Sequence, residues 1–208
     1  MIRETFPVGL LQCNCTILGD ETSLDAIVID PGYEIPRILA ALNKHDLTAR
    51  RIVVTHAHID HIASAFILKQ MTGAPIFYSK ADLPLVAMIG TQASWFGLKE
   101  PTVHPPDHSP VDAELISIEG IDATIIHTPG HTEGSLCLHI PTEKLLIAGD
   151  TLFAGSVGRT DLPGGNHDLL LSSIHDRLLT LPDETLVIPG HGATTTIDRE
   201  RATNPFLI

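Results

Sequence analysis

Residues 51–61, Arg-Ile-Val-Val-Thr-His-Ala-His-Ile-Asp-His, constrain this chain most, because a short β-branched run stops there at three histidines and an aspartate. The run has the composition of a strand buried on both faces. In extended chain His56 and His58 point to the same side, and Asp60 and His61 begin a helically periodic segment. Crowded imidazoles beside a carboxylate suit a bound cation better than a histidine-rich surface loop, so we predict a metal site.

Three later apolar segments end in residues of the same kind. Residues 123–126, 144–149 and 185–190 lead into His131, Asp150 and His191, respectively. Sites in open α/β sheets collect in the loops at one edge of the strands, so we expect these side chains to meet residues 56–61. The set then holds five imidazoles and two carboxylates. Seven ligands are too many for one tetrahedral ion with an open position, which predicts two metal ions.

Hydrophobic periodicity predicts an α/β fold in a single domain spanning residues 1–208. The predicted strands are residues 3–8, 13–18, 25–29, 52–54, 76–78, 115–118, 123–126, 135–140, 144–148 and 185–188. The predicted helices are residues 34–45, 62–71, 168–181 and 198–204. Residues 91–112 lack periodicity and are rich in proline, which predicts a long irregular loop of the kind that often forms a lid, with Trp95 and Phe96 exposed.

Charge and hydropathy exclude several classes of function. The 25 acidic and 13 basic residues give a net charge of −12, which repels nucleic acid and anionic lipid. The chain is 43% hydrophobic, yet no run approaches the roughly 18 apolar residues of a membrane span, and no signal-peptide pattern opens the sequence. We therefore expect a cytoplasmic protein that binds neither nucleic acid nor membrane, whereas its oligomeric state stays open.

The three cysteines, Cys13, Cys15 and Cys137, cannot all pair. The first two lie inside an apolar segment, and a thiolate metal site there would need two further ligands nearby. We therefore predict buried, small hydrophobic side chains rather than a disulfide scaffold or a cysteine metal site.

Four motifs resemble those of the metallo-β-lactamase fold superfamily, and the resemblance spans nearly the whole chain. They are Thr-His-Ala-His-Ile-Asp-His at 55–61, Pro-Gly-His-Thr-Glu-Gly-Ser at 129–135, Gly-Asp-Thr-Leu-Phe at 149–153 and Pro-Gly-His-Gly at 189–192. Within this superfamily, Gly-Arg-Thr-Asp-Leu-Pro-Gly-Gly at 158–165 most resembles the glyoxalase II-like branch of hydroxyacylglutathione hydrolases. A fragment of the same segment is similar to persulfide dioxygenases.

The resemblance implies an αββα sandwich with the metal site along one edge of two sheets. It also implies a ligand set: His56, His58 and His131 for the first metal, Asp60, His61 and His191 for the second, and Asp150 with a water or hydroxide as the bridge. These nitrogen and oxygen ligands admit zinc, iron or manganese, of which we favour zinc. Asp30 either orients one of the imidazoles or forms the turn before Pro31.

The expected reaction is hydrolysis of a small-molecule thioester, such as S-lactoylglutathione or another 2-hydroxyacyl-glutathione. The bridging hydroxide would attack the carbonyl, with Asp60 orienting it. Arg159 either meets a substrate carboxylate or pairs with Asp161. Glyoxalase II enzymes carry a C-terminal helical domain that contacts glutathione. Because this sequence ends soon after His191, we expect weaker glutathione binding and tolerance of other thioesters.

Two other functions remain open at this stage. The first is a mononuclear iron persulfide dioxygenase that uses His56, His58 or His131, and Asp150. The second is a metal-binding or redox-sensing protein without turnover. This function gives no reason for a bridging ligand such as Asp150. Oxygen-reducing diiron relatives usually carry Glu where His58 stands, and one large class of β-lactamases has Cys in place of Asp150. These differences argue against oxygen reduction and against β-lactamase activity.

Overall fold

The computed structural model describes all 208 residues, and most of its strands form two sheets. The first sheet contains, in spatial order, β1 (Ile2–Val8), β2 (Cys13–Gly19), β3 (Asp25–Ile29), β4 (Thr48–Val53) and β5 (Ile76–Phe77). The second contains β13 (Thr195–Thr196), β12 (Leu186–Pro189), β9 (Leu145–Gly149), β8 (Leu136–Ile140), β7 (Ile121–His127) and β6 (Leu115–Ile118). A separate hairpin joins β10 (Leu152–Phe153) to β11 (Ser156–Val157).

Helices cover the outer face of each sheet. Those packed on the first sheet are α1 (Ile35–Lys44), α2 (Ile59–Ile62), α3 (Ala65–Thr72), α4 (Leu83–Ala87) and α5 (Ile89–Trp95). Those packed on the second are α6 (His167–Ser173), a π-helical turn at Ile174–Leu178, and α7 (Ile197–Thr203). No helix combines the length and the apolar character that crossing a membrane requires.

The layer between the sheets explains why the central strands are apolar throughout. In β3, Ala26 and Val28 point to the helices on the first sheet, whereas Ile27 and Ile29 point to the second sheet. All four side chains are completely buried. Because successive side chains of a strand alternate between faces, a strand covered on both sides needs hydrophobic residues at every position. The four layers form the predicted αββα sandwich.

The predicted ligand segments follow strands that end at one edge of this sandwich. β4 runs parallel to β3 and β5, and β9 runs parallel to β12, so within each sheet these strands finish on the same side. Two backbone hydrogen bonds fix this edge: Leu136 N, at the start of β8, donates to Thr55 O at 3.0 Å, and Gly190 N donates to Gly149 O at 2.7 Å. The first bond joins the two sheets, and the second joins the ends of β9 and β12.

Three predicted elements differ from the structure. Residues 62–71 do not form one helix, because a turn at Ala63 and Ser64 separates α2 from α3. The loop predicted from residue 91 is wrong over its first part, because α5 continues to Trp95. The buried side of α5 includes Gln92, and this polar residue interrupts the apolar spacing on which the sequence interpretation relied. The helix predicted for residues 168–181 becomes π-helical after Ser173.

Gly32 sits where the first strand layer meets the predicted metal ligands. A Cβ atom at this position would lie 1.7 Å from the carbonyl oxygen of Asp60. Glycine is therefore required here by the close approach of two backbone segments.

We expect Gly32→Ala to lower the free energy of unfolding by more than about 2 kcal/mol, because the added methyl group must displace the backbone of α2. Gly73→Ala is the matched control, since Gly73 has a φ of +76° but an open surrounding. Gly73→Ala should lower the free energy of unfolding only by the strain of its left-handed backbone, about 1 kcal/mol. Urea unfolding of the two variants measures the difference, and equal losses would contradict the close packing of Gly32 on Asp60.

Candidate metal centre

His56, His58 and His131 form the first group of potential ligands. The Nε2 atom of His131 lies 3.0 Å from His58 Nδ1 and 3.2 Å from His56 Nε2. All three side chains are buried. His56 and His58 follow β4, whereas His131 follows β7, so the group joins loops from both sheets.

Asp60, His61 and His191 form the second group. His191 Nε2 lies 3.0 Å from Asp60 Oδ2 and 3.3 Å from His61 Nε2. Asp60 and His61 belong to α2, a helix of only four residues that directly follows His58. His191 comes from the loop after β12. This second group therefore also draws its members from both sheets.

Asp150 lies between the two groups. Its Oδ1 atom is 3.4 Å from His61 Nε2, and its Oδ2 atom is 3.6 Å from His131 Nε2 and 3.7 Å from His191 Nε2. Oδ1 is buried and has no hydrogen-bond partner. A buried carboxylate oxygen without a partner is costly, and a cation beside it would remove that cost.

Backbone carbonyl groups fix the orientation of two imidazoles. His131 Nδ1 donates to Arg159 O at 2.7 Å, and His191 Nδ1 donates to Leu11 O at 3.0 Å. Because a carbonyl oxygen only accepts, Nδ1 carries a proton in both rings, and Nε2, which is turned to the centre, is left with a lone pair.

Asp30 and Thr55 fix two further rings. Asp30 accepts from Thr55 N at 2.7 Å and from Thr55 Oγ1 at 2.8 Å, and its Oδ2 lies 3.0 Å from His61 Nδ1. Thr55 Oγ1 uses its only proton on Asp30 and therefore accepts from His56 Nδ1 at 3.2 Å. Asp30 thus orients an imidazole in addition to forming a turn, where its own φ is +50°.

This arrangement fits metal ions better than hydrogen bonds. With Nδ1 protonated in His56 and His131, their Nε2 lone pairs face each other at 3.2 Å. Neither atom then has a proton to share, whereas a divalent cation binds such lone pairs. The histidine and aspartate groups together fit a binuclear metal site.

The ionisation of the ligands also favours a cation. Burial, together with the neighbouring His131, lowers the pKa of His58 to about 3, and burial with the surrounding imidazoles holds the pKa of His56 well below its usual range. Both rings are therefore neutral near pH 7, which is the form that binds metal. Burial works to raise the pKa of Asp150, but His61, His131 and His191 together lower it below its usual range, so this side chain is a carboxylate.

His61 differs from these rings because three carboxylates surround it. Burial works to lower its pKa, yet the charges of Asp30, Asp60 and Asp150 contribute to raising it well above the usual value. A metal ion at Nε2 must replace a proton there, so binding to the second group should weaken as the pH falls.

Asp82, which sequence reasoning missed, joins two of the ligand loops. Its carboxylate accepts from Ala57 N at 2.9 Å, from Thr132 Oγ1 at 3.0 Å and from Gly134 N at 2.7 Å. Ala57 lies between His56 and His58, and Thr132 follows His131. One buried side chain therefore positions every member of the first group.

Two side-chain amides, those of the buried Gln92 and the half-buried Asn14, have the same kind of role. Gln92 Oε1 accepts from Ile59 N at 2.9 Å and so connects α5 to α2. Asn14 Nδ2 donates to Pro189 O at 2.9 Å and to Gly192 O at 3.0 Å, on either side of His191. No sequence pattern marks these residues, because their partners are backbone atoms far away in the chain.

A cavity of about 330 Å³ opens onto the centre. It is lined by Leu11, His58, Ile59, Asp60, Gln92, Trp95, Phe96, His131, Asp150, Arg159, Leu162 and His191. All seven predicted ligands lie at or beside its floor, and the role of each as a ligand stays a prediction. Trp95 and Phe96, predicted to be exposed, lie at the mouth with 50% and 39% of their surface accessible.

Arg159 lies on the wall of this cavity and pairs with Asp161. Its Nε and NH2 atoms donate to the two carboxylate oxygens of Asp161, both at 2.7 Å. Of the two roles that the sequence left open for Arg159, the structure shows the local pair. Contact with a substrate stays a prediction.

The cysteines are free and buried, as predicted. Cys13 Sγ lies 3.5 Å from His61 Nδ1, on the side of the ring that faces away from the other ligands. Burial raises the pKa of Cys13 to about 12, so the side chain is a neutral thiol near pH 7. It packs behind His61 and does not supply a thiolate to the centre.

Comparisons with known proteins agree with this geometry. A family model described as the Metallo-beta-lactamase superfamily matches residues 8–191. Hydroxyacylglutathione hydrolase GloC of Haemophilus influenzae is 38% identical over 206 residues, covering 98% of this chain and 97% of that protein.

Solved structures share the whole fold. The BLEG-1 B3 metallo-beta-lactamase matches with a TM-score of 0.92 and 34% identity over 99% of each chain. TTHA1623, solved in a di-iron-bound form, has a TM-score of 0.88 and 36% identity over 100% of each chain. ETHE1 from Myxococcus xanthus has a TM-score of 0.84 and 28% identity over 99% of this chain and 84% of that one.

We expect Asp82→Ala to weaken metal binding roughly tenfold to a hundredfold, because the loops that carry His56, His58 and His131 lose their common acceptor. Competition with a chromogenic chelator measures the affinity. Asp122→Ala is the control, since it removes an exposed carboxylate that accepts from Ser117 at the start of β7. Equal affinity in the wild type and the Asp82 variant would show that the first group is positioned without Asp82.

Proposed function

The chain belongs to the metallo-beta-lactamase superfamily, and we propose that it is a binuclear metal-dependent hydrolase that cleaves thioesters. S-lactoylglutathione and other 2-hydroxyacyl-glutathiones are the representative substrates. One observation carries the proposal: two groups of three ligands share Asp150 at the floor of a cavity large enough for a small molecule. The 38% identity to hydroxyacylglutathione hydrolase GloC supports the thioester class.

The residues that would hold two divalent cations are those described above. His56, His58 and His131 would hold one, Asp60, His61 and His191 the other, and Asp150 would contact both. When bound, such a pair supplies an activated water near neutral pH and polarises a carbonyl group. Zinc suits the nitrogen and oxygen donors and needs no redox chemistry, whereas the di-iron-bound form of TTHA1623 supports iron.

The cavity offers no hydroxyl, thiol or amine nucleophile for a covalent mechanism, and its two carboxylates are assigned to the metal ions. The residues that line the cavity include no serine, threonine, cysteine or lysine. Cys13 is buried behind His61, and its raised pKa of about 12 keeps it protonated. Water is therefore the nucleophile: its oxygen forms the new bond to the carbonyl carbon, the carbon–sulfur bond breaks, and the products are a carboxylic acid and a thiol.

Asp60 is the side chain best placed to orient that water. It lines the cavity, and His191 Nε2 lies 3.0 Å from its Oδ2 atom. Burial works to raise the pKa of Asp60, but the charge on His61 lowers it, so Asp60 is a carboxylate that accepts a hydrogen bond from water. A thiolate leaves without prior protonation, so this site needs no separate general acid.

The second candidate is the iron-dependent persulfide dioxygenase reaction. The likeness to ETHE1 and to the di-iron-bound TTHA1623 favours it. It leaves Asp60, His61 and His191 without a role, because a mononuclear oxygenase needs only three of the seven donors. Hydrolysis therefore remains the function that the geometry supports best.

Anaerobic hydrolysis separates the two reactions. We expect protein loaded with zinc to cleave S-lactoylglutathione under nitrogen and to release one thiol per thioester, because hydrolysis requires no oxidant. Thiol release measured with a colorimetric reagent follows the reaction, and chelation of the metal should abolish it. Oxygen uptake by the iron-loaded protein with glutathione persulfide, together with no thioester cleavage by either metal form, would contradict the proposal.

A further inference from the structure

The mouth of the cavity is apolar and exposed. Trp95 and Phe96 leave 50% and 39% of their surfaces accessible, although large aromatic side chains are usually covered. Leu11 and Leu162 line the same opening. Exposed aromatic residues that surround a cavity mark a surface that binds an apolar group.

Further apolar side chains lie next to the mouth. Leu85, Met88 and Pro163 surround, together with Trp95 and Leu162, a closed space with no room for a water molecule. The cavity of about 80 Å³ beyond it is separate and is lined by Asp82 and Glu133 as well as by apolar residues. The apolar surface that a substrate can reach is therefore the mouth itself.

The same walls carry very little free positive charge. Arg159 is the only lysine or arginine that lines the main cavity, and Asp161 binds its guanidinium group through two hydrogen bonds of 2.7 Å. The hydrogen bond from Arg159 lowers the pKa of Asp161 to about 2, so the pair is fully ionised and its charges cancel near pH 7. A carboxylate of a substrate gains no net attraction from this pair.

We propose that the site is selective for thioesters whose thiol part is apolar and uncharged, and that Asp161 is the residue that sets this selectivity by neutralising Arg159. The inference rests on the proposed thioesterase function and specifies its substrate class. S-lactoylglutathione is then cleaved less efficiently than a thioester of an apolar thiol, because the two carboxylates of glutathione meet an apolar mouth and a cation that is already paired.

The expected effect of Asp161 is modest, because both partners are exposed, with 60% and 69% of the Arg159 and Asp161 side chains accessible. An exposed ion pair is weak, so its release changes an equilibrium or rate constant by at most roughly fivefold. Release of Arg159 should therefore change the preference for an anionic substrate by about threefold to fivefold.

The test compares two lactoyl thioesters that share an acyl group, one of glutathione and one of butanethiol. We expect the zinc-loaded wild type to have the higher kcat/KM for the butanethiol ester. Asp161→Asn should shift the ratio about threefold to fivefold towards glutathione, and Arg159→Gln in the same protein should reverse the shift. Asp122→Asn is the control, because it removes the same charge at the start of β7, where the residue does not line the cavity. It should leave the ratio unchanged.

Binding of inert thioethers gives a second readout. Trp95 is the only tryptophan of the chain and lies at the mouth, so its fluorescence reports binding of S-methylglutathione or butyl methyl sulfide without turnover. The inference is supported if the wild type binds the sulfide more tightly than S-methylglutathione and if Asp161→Asn shifts this preference towards S-methylglutathione. This holds even if no thioester is cleaved, because failure of cleavage would overturn only the proposed reaction. Preference of the wild type for the glutathione compounds, or an unchanged ratio in the Asp161 variant, would overturn the inference.

Discussion

The centre depends on the hydrogen bonds that hold the outer nitrogen of four imidazoles. Asp30, Thr55 and two backbone carbonyl groups accept from the Nδ1 atoms of His61, His56, His131 and His191. Each contact assigns the proton to Nδ1 and turns Nε2 towards the other ligands. Without these acceptors the rings could rotate and hydrogen-bond to one another. With them, lone pairs and carboxylates converge on a small volume that only cations fill favourably.

The rest of the fold keeps these loops in register. Parallel strands of the two sheets end at one edge, and the side chains of Asp82, Gln92 and Asn14 connect the loops beyond them through hydrogen bonds to backbone groups. The Asp150 side chain also packs too closely on Gly190 for any larger residue there, because a Cβ atom would lie 2.1 Å from Asp150 Oδ1. The site is thus held by buried, fully packed contacts, whereas the apolar mouth that faces the substrate is exposed. This division suits a rigid reaction centre with an adaptable binding surface.

Much of this could be predicted from the sequence, because strands buried on both faces leave continuous apolar runs and ligands at their ends form short local motifs. The α/β class and the meeting of His131, Asp150 and His191 with residues 56–61 follow from that pattern, whereas the αββα sandwich was implied by the resemblance to the metallo-β-lactamase fold superfamily. The helix at α5 was missed because Gln92, a polar residue, is buried and satisfied by backbone groups of Ile59 and Leu85. Asp82 was missed for the same reason, since its partners lie 25 to 52 positions away. The pairing of Arg159 with Asp161 could not be predicted from the sequence, because the spacing allowed Arg159 to meet either Asp161 or a substrate carboxylate.

The metal content of purified protein tests the binuclear centre most directly. Elemental analysis should find close to two divalent ions per wild-type chain. Asp150→Ala should reduce both sites, because its carboxylate is the one that reaches both groups. His127→Ala should retain two ions, since His127 is the last residue of β7, the strand that precedes His131, but its ring pairs with Pro110 O. A value near one in the wild type, or two ions in the Asp150 variant, would contradict a centre built around a shared aspartate.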